Sequence, residues 1–158
     1  MPNQKPAVLF VCLGNICRSP LAEAVFRAEA ARQKLDAEAD SAGIGNWHVG
    51  EAPDPRAQAV AKKHGVDIGG CRGRQVTHED FSRFTHVIAL DRDVLAALRR
   101  LRPANATAQL GLLLDAVPGR EGEGVTDPYY GEDDGFETTF SDVASGTSAL
   151  VRKLSETR

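Results

Sequence analysis

The sequence predicts an α/β fold in which a parallel sheet carries helices on both faces, and three observations lead there. Short apolar, β-rich runs alternate along the chain with stretches of helical periodicity, the pattern of strand–helix–strand units. The first run, AVLFVC, is apolar at every position, as in a strand covered on both sides. At 158 residues the chain can bury about two-thirds of its unfolded surface around one core, so residues 1–158 read as a single domain.

Each element has its own warrant. Residues Ala7–Cys12 form the first strand and lead through a glycine-bearing loop into a helix from Pro20. In that helix Leu21, Ala24, Val25, Ala28, Ala31 and Leu35 recur at steps of three and four. Glu38–Ile44 is the second strand. It is followed by a loop punctuated by Gly43, Gly45, Gly50, Pro53 and Pro55, which carries Trp47 and His48. Arg56–His64 reads as a helix stopped by Gly65, and Thr77 as the cap of a one-turn segment, His78–Phe84. His86–Leu90 is a third buried strand. Asp91 then stands at the cap of a helix marked by Val94, Ala97, Leu98 and Leu101. Leu110–Val117 gives a fourth strand. From Asp115 to Glu137 there are eight acidic residues, one basic residue and five glycines, a composition that predicts a surface loop. Phe136, Phe140, Val143, Thr147, Leu150 and Leu154 mark a closing amphipathic helix.

Composition removes several classes of function. The net charge of −3 lacks the positive field that draws proteins to nucleic acid or anionic lipid, so neither partner is expected. The apolar start of the chain is interrupted at Gly14 and Asn15, far short of the roughly 18 residues of a membrane span, and no membrane insertion or secretory signal is read. Three cysteines do not make the disulfide framework of a small secreted protein. A reducing, cytoplasmic setting fits them, and reactive thiols become possible there.

The segment with the most chemistry is Cys12-Leu13-Gly14-Asn15-Ile16-Cys17-Arg18-Ser19-Pro20, between the first strand and the first helix. Ligands of open α/β sheets bind outside the carboxyl ends of strands, where this loop falls. Gly14 lets the backbone approach a ligand, Asn15 tolerates a left-handed conformation, and the following helix turns free N–H groups and its positive dipole end into the loop. Backbone groups of Leu13, Gly14, Asn15, Ile16 and Cys17 would thus form a nest for a tetrahedral oxyanion. Cys12 lies at its floor, where helix dipole, N–H groups and Arg18 favour thiolate over thiol. Arg18 can hold two phosphoryl oxygens with its planar guanidinium, and the Ser19 hydroxyl can donate to the Cys12 sulfur. Cys17 is close enough to meet Cys12 around a central anion, which predicts a reversible disulfide protecting an oxidised Cys12. Cys71 reads as incidental. The scattered His48, His64, His78 and His86 read as structural or solvated, and no cluster has the spacing of metal ligands.

The segment VCLGNICRSP resembles the active-site signature of the low-molecular-weight protein tyrosine phosphatases. Trp47-His48-Val49-Gly50, Pro53-Asp54-Pro55-Arg56 and Asp127-Pro128-Tyr129-Tyr130-Gly131 also match that family in order and spacing, so the resemblance covers nearly the whole chain. It implies a four-stranded parallel sheet flanked by helices, and a metal-free, cofactor-free phosphatase acting on phosphotyrosine proteins or peptides. Cys12 would be its nucleophile and Asp127 its general acid, then base. Trp47, Tyr129 and, with it, Tyr130 would wall the cleft against a phenyl ring. Leu90-Asp91-Arg92-Asp93-Val94 departs from the family's Met-Asp-x-x-Asn, with Leu90 and Val94 in place of Met and Asn.

Three rival readings share the loop. An arsenate reductase would need a relay of further thiols, and only Cys71 follows the loop. An arginine phosphatase carries Thr where this chain has Ile16. A phosphopeptide-binding module would not need Asp127 as an acid.

Overall fold

The structure, a computed structural model, describes residues 5–128 and 134–156. Strands β1 (Ala7–Cys12), β2 (Glu38–Gly43), β3 (His86–Ala89) and β4 (Gln109–Leu112) form one parallel sheet in the order β2-β1-β3-β4. The helices are α1 (Arg18–Arg32), α2 (Pro55–Lys63), α3 (Asp80–Arg83), α4 (Arg92–Leu101) and α5 (Asp134–Glu156). The predicted fold class holds. Among the described residues no helix is long and apolar enough to cross a membrane.

Strand β1 shows how the core is divided. Side chains alternate across a sheet, so Val8, Phe10 and Cys12 fall on one face, against Leu21 and Phe26 of α1 and Phe136 and Val143 of α5. Leu9 and Val11 enter the opposite face with Phe81 of α3 and Leu95 and Leu98 of α4. All six β1 residues are buried, and each large apolar side chain taken from water contributes about 1.5–3 kcal/mol before entropy is counted. The end of β1 is therefore fixed from both sides, and Cys12 is its last residue.

The chain leaves β1 for β2 on one side and reaches β3 on the other. Where the order reverses, the loops leaving the two strands diverge and open a crevice at their carboxyl ends. Cys12 ends β1 and Leu90-Asp91 follow β3, so both flank that crevice.

Several element boundaries differ from expectation. Helix α1 starts at Arg18 rather than Pro20, since first-turn N–H groups have no helical acceptor and a proline there loses nothing. β2 ends at Gly43 and β3 at Ala89. β4 stops at Leu112 and a 3-10 turn, Leu113–Ala116, takes over. The Asp115 carboxylate accepts the N–H groups of Leu112 (3.1 Å) and Gly122 (2.9 Å), closing a local turn in place of a strand. Helix α3 covers only Asp80–Arg83, and Thr77 is not its cap residue; instead the Asp80 carboxylate accepts from Thr77 N at 2.8 Å. Helix α5 begins at Asp134, inside the expected acidic loop.

Candidate active site

The loop after β1 wraps over Cys12. Asn15 adopts φ +60°, a conformation asparagine tolerates because its short side chain can bond locally. Here the amide is fully committed: Nδ2 donates to Ser19 Oγ (2.8 Å) and Ser41 Oγ (3.0 Å), and Oδ1 accepts from Arg74 N (2.9 Å). The Asn15 N–H points at Cys12 Sγ (3.3 Å), and Ser19 Oγ lies 3.0 Å from the same sulfur. A Cβ on Gly43 would come within 3.1 Å of Gly14 C and Leu13 O, so any side chain there would press on the backbone of the loop. The α1 N-terminus has no side-chain cap and no acid in its first turn, leaving its N–H groups and dipole for an anion.

Arg18 is 2% exposed. Its Nη1 donates to Asp91 Oδ2 (2.6 Å) and to the Val125 carbonyl (2.9 Å), and its Nη2 lies 3.5 Å from Asp127 Oδ2. Burial works against its charge, but Cys12 and the Asp91 carboxylate more than offset this and raise its affinity for the proton. It is a permanent cation. Asp91 also caps α4, accepting from Val94 N at 2.8 Å. That bond uses the backbone, so the Val94 side chain is free to enter the core, where it is buried.

Asp127 reaches the crevice by a tethered loop. Val125 N donates to Leu90 O (2.7 Å), extending past β3, and Thr139 Oγ1 of α5 donates to Thr126 O (3.1 Å). The resulting cavity, of about 350 Å³, is lined by Cys12, Leu13, Gly14, Ile16, Cys17 and Arg18, with Trp47, His48 and Asp127 at its sides. Of the lining residues, Leu13 and Trp47 are large apolar side chains left exposed. Trp47, at 62% exposed, is held as a cleft wall rather than as core.

Cys12, Cys17 and Cys71 are free thiols. Burial, then the nearby Asp54 carboxylate and Cys12, push the Cys17 thiol far up. Asp54 itself is held down: burial opposes its charge, but bonds from the Arg56 guanidinium and N–H prevail. Cys71 is pushed up to about 11 by burial and by Glu23.

The low molecular weight phosphotyrosine protein phosphatase profile matches residues 7–158. The chain belongs to that family. A low molecular weight protein-tyrosine-phosphatase of Streptomyces coelicolor is 46% identical over 94% of this chain and 93% of its own. The crystal structure of a protein tyrosine phosphatase from Entamoeba histolytica superposes with a TM-score of 0.90 at 33% identity, covering 96% of this chain and 98% of that one. A Drosophila arginine phosphatase superposes at 0.87, with 31% identity over 93% and 96% of the two chains.

Within this phosphatase family fold, the structure brings Cys12, Leu13, Gly14, Ile16, Cys17, Arg18, Trp47 and Asp127 to one cavity, with Asn15 and Ser19 bonded beside Cys12. Tyr129 and Tyr130 lie outside the described residues. Sequence reasoning missed the partners that hold the loop: Ser41, Gly43, the Arg74 N–H and the Val125 carbonyl. It also read Asp91 only as a helix cap and a family match, and His48 as structural or solvated, although His48 lines the cavity while its Nδ1 meets Glu51 at 3.0 Å. No local pattern marks these residues; only the strand order brings them to the loop.

Proposed function

We infer that this phosphatase is a protein-tyrosine phosphatase that passes the phosphoryl group from an aryl ester to Cys12 and then to water. The convergence of Cys12, Arg18 and Asp127 on one crevice carries the reading. Binding alone needs the anion nest and the cation; an acid lining the same cavity serves bond cleavage.

In the first step Cys12 sulfur attacks phosphorus and the phosphorus–oxygen bond to the phenol breaks. Asp127 gives its proton to the departing oxygen. Arg18 and the loop N–H groups hold the equatorial oxygens as charge spreads over them. In the second step the Asp127 carboxylate takes a proton from water, whose oxygen attacks phosphorus and releases the Cys12 thiolate. Ser19, 3.0 Å from the sulfur, stabilises it both as nucleophile and as leaving group.

Phosphotyrosine in a protein or peptide is the substrate class the walls favour. Trp47 offers an aromatic face, and Ile16, buried at the loop, offers methyl groups and no hydroxyl for a guanidinium. The Drosophila relative shows that arginine phosphatases share this fold, so wall residues rather than the fold must discriminate. An arsenate reductase reading fares worse, because Cys71 is absent from the cavity lining. An odd, sparse set of three cysteines favours a reducing compartment.

The test is hydrolysis of p-nitrophenyl phosphate, a phosphotyrosine peptide, phosphoarginine and arsenate, side by side. Aryl phosphatase activity that disappears in Cys12→Ser is expected. In Asp127→Ala, turnover should fall by about 10²–10⁴, the usual contribution of a general acid, for the tyrosine peptide and much less for p-nitrophenyl phosphate, whose phenolate leaves readily. Full activity in Cys12→Ser sinks the reading.

A further inference from the structure

Helix α4 begins at the residue after Asp91, the carboxylate that holds Arg18. β3 and β4 are parallel neighbours, so the helix joining them must return from the carboxyl end of the sheet, where the crevice lies, to the opposite end. Its first residue lies against the segment that carries the acid: a Cβ on Gly124, in the stretch leading to Asp127, would come 3.6 Å from Arg92 N. α4 therefore starts beside the cavity wall and runs away from it along the molecule.

The solvent side of this helix is basic. Val94, Leu95 and Leu98 are buried, while Arg92, Ala96, Arg99 and Arg100 are exposed on the other side, with exposed Arg102 just past the last turn. At about 3.6 residues per turn these positions form one row, and at about 1.5 Å per residue the arginines span roughly 15 Å. Among the described residues none of the four arginines makes an ion pair, and Arg92 makes none with the neighbouring Asp93. Arg27, Arg56, Arg74, Arg83 and Arg120, in contrast, each meet a carboxylate. The helix dipole accounts for part of the row, since cations in the last turn are favoured, which suits Arg99, Arg100 and Arg102. Arg92 stands at the positive end, where a cation is disfavoured, although a chain of net charge −3 has acids enough to match it. Unmatched like charges repel, and an anion supplied from outside relieves that.

We propose that the α4 arginine row is a docking surface for an acidic stretch, rich in Asp and Glu, of the phosphotyrosine protein whose phosphate enters the Cys12 loop; this rests on the phosphotyrosine reading above. Continuity with the crevice selects this partner, because a chain seated at the cavity on its Asp127 side already lies near the start of α4. An extended chain advances about 3.3 Å per residue, so about five residues cover the row. Each guanidinium can grip a carboxylate with two parallel N–H groups. A narrow row fits one extended chain; a lipid surface asks for a broad basic face, which a net charge of −3 does not provide. Exposed pairs are individually weak, so the row selects and steers acidic substrates and leaves the chemistry at Cys12 untouched.

The test compares phosphotyrosine peptides of equal length in steady-state assays at low salt. One carries about five glutamates before the phosphotyrosine, one carries them after it, and one has glutamines at all those positions. Wild type is expected to show kcat/KM about tenfold higher for one of the acidic peptides than for the glutamine peptide, mostly through KM, as a set of weak exposed pairs allows. In the triple variant Arg99→Gln, Arg100→Gln, Arg102→Gln the preference should fall to about twofold or less. Arg92→Gln should lower it too, while kcat and KM for p-nitrophenyl phosphate stay at wild-type values in both variants. Sodium chloride at about 0.5 M, which screens exposed charges beyond a few ångströms, should erase the preference in wild type with no substitution. A preference that the triple variant keeps overturns the proposal. Equal rates on all the peptides overturn it as well, and phosphatidylserine vesicles bound by wild type but not by the triple variant would then assign the row to a membrane. Hydrolysis of p-nitrophenyl phosphate with none of any phosphotyrosine peptide overturns the underlying reading instead.

Discussion

Arg18 and Asp91 are 73 residues apart in the chain and meet at 2.6 Å, with the guanidinium 2% exposed and the carboxylate 26%. Asp91 uses its other oxygen to cap α4, so one side chain fixes both the start of a helix and the orientation of the cation. A buried arginine without a carboxylate would be costly, and this pair is what holds Arg18 in the crevice rather than in solvent.

Asp91→Asn separates the two roles, since the amide oxygen still caps Val94 N while the charge is gone. A loss of about tenfold in kcat/KM for an aryl phosphate is expected, roughly 1.4 kcal/mol of transition-state stabilisation. Asp91→Ala should add about 1 kcal/mol of lost stability from the missing cap. Steady-state kinetics and thermal melts check both, and unchanged kinetics in Asp91→Asn would show that the Val125 carbonyl and Asp127 suffice to hold Arg18.

Cys12 and Cys17 are both buried in the same loop and reduced. Peroxide should convert the Cys12 thiolate to a sulfenic acid, and Cys17 sulfur should then displace water from it to form a disulfide that dithiothreitol reopens. Wild type is expected to regain most of its activity after brief peroxide and then dithiothreitol, while Cys17→Ser stays inactive. Equal recovery in the two proteins counts against the disulfide.

Trp47 stands over Gly45, where an added Cβ would lie 1.9 Å from the indole ring. Because the indole is exposed, Gly45→Ala should displace the ring rather than the backbone. An aromatic contact is worth about 0.5–1.5 kcal/mol, so KM for aryl phosphates should rise about two- to tenfold. Stability should change by no more than about 0.5 kcal/mol. Trp47→Ala should mimic the kinetic effect, and a melt that drops sharply in Gly45→Ala would mean the backbone had moved.

His86, at the start of β3, is held below its ordinary value of 6.5 by burial. The unfolded chain therefore binds this proton more readily than the folded one. Stability from this site is complete above about 6.5 and declines as pH falls through that value toward the lower folded one. Urea melts between pH 8 and 5.5, values chosen to bracket about 6.5, should show the decline, and His86→Gln should flatten it.

Much of the fold was legible because periodicity reports burial. The AVLFVC run identifies a strand buried throughout, and the α5 stripe a helix and its buried side; the α1 stripe marks a helix but misplaces its buried face, since Ala28 and Ala31 are exposed while Ala22, Phe26 and Ala30 are buried. Periodicity failed where burial has no regular repeat. Leu110 to Val117 looks like a strand, yet Leu113 and Leu114 are buried in a 3-10 turn, and the deciding Asp115 bonds come from a single side chain. The nest was legible too, since a cysteine, a glycine, an arginine and a serine between a strand and a helix all serve one anion.

The sequence by itself determined the class of fold, the anion loop and which cysteine stands at its floor, because these depend on neighbours within one turn of chain. Only the tertiary structure decided what meets that loop. Asp91, Val125 and Asp127 reach Arg18 because the strand order reverses between β1 and β3. Ser41 and Arg74 reach Asn15 because β2 runs beside β1. These are long-range pairings, specified by the packing of a sheet rather than by any spacing along the chain, and they turn an anion-binding loop into a site with a held cation, an acid and a directed hydroxyl.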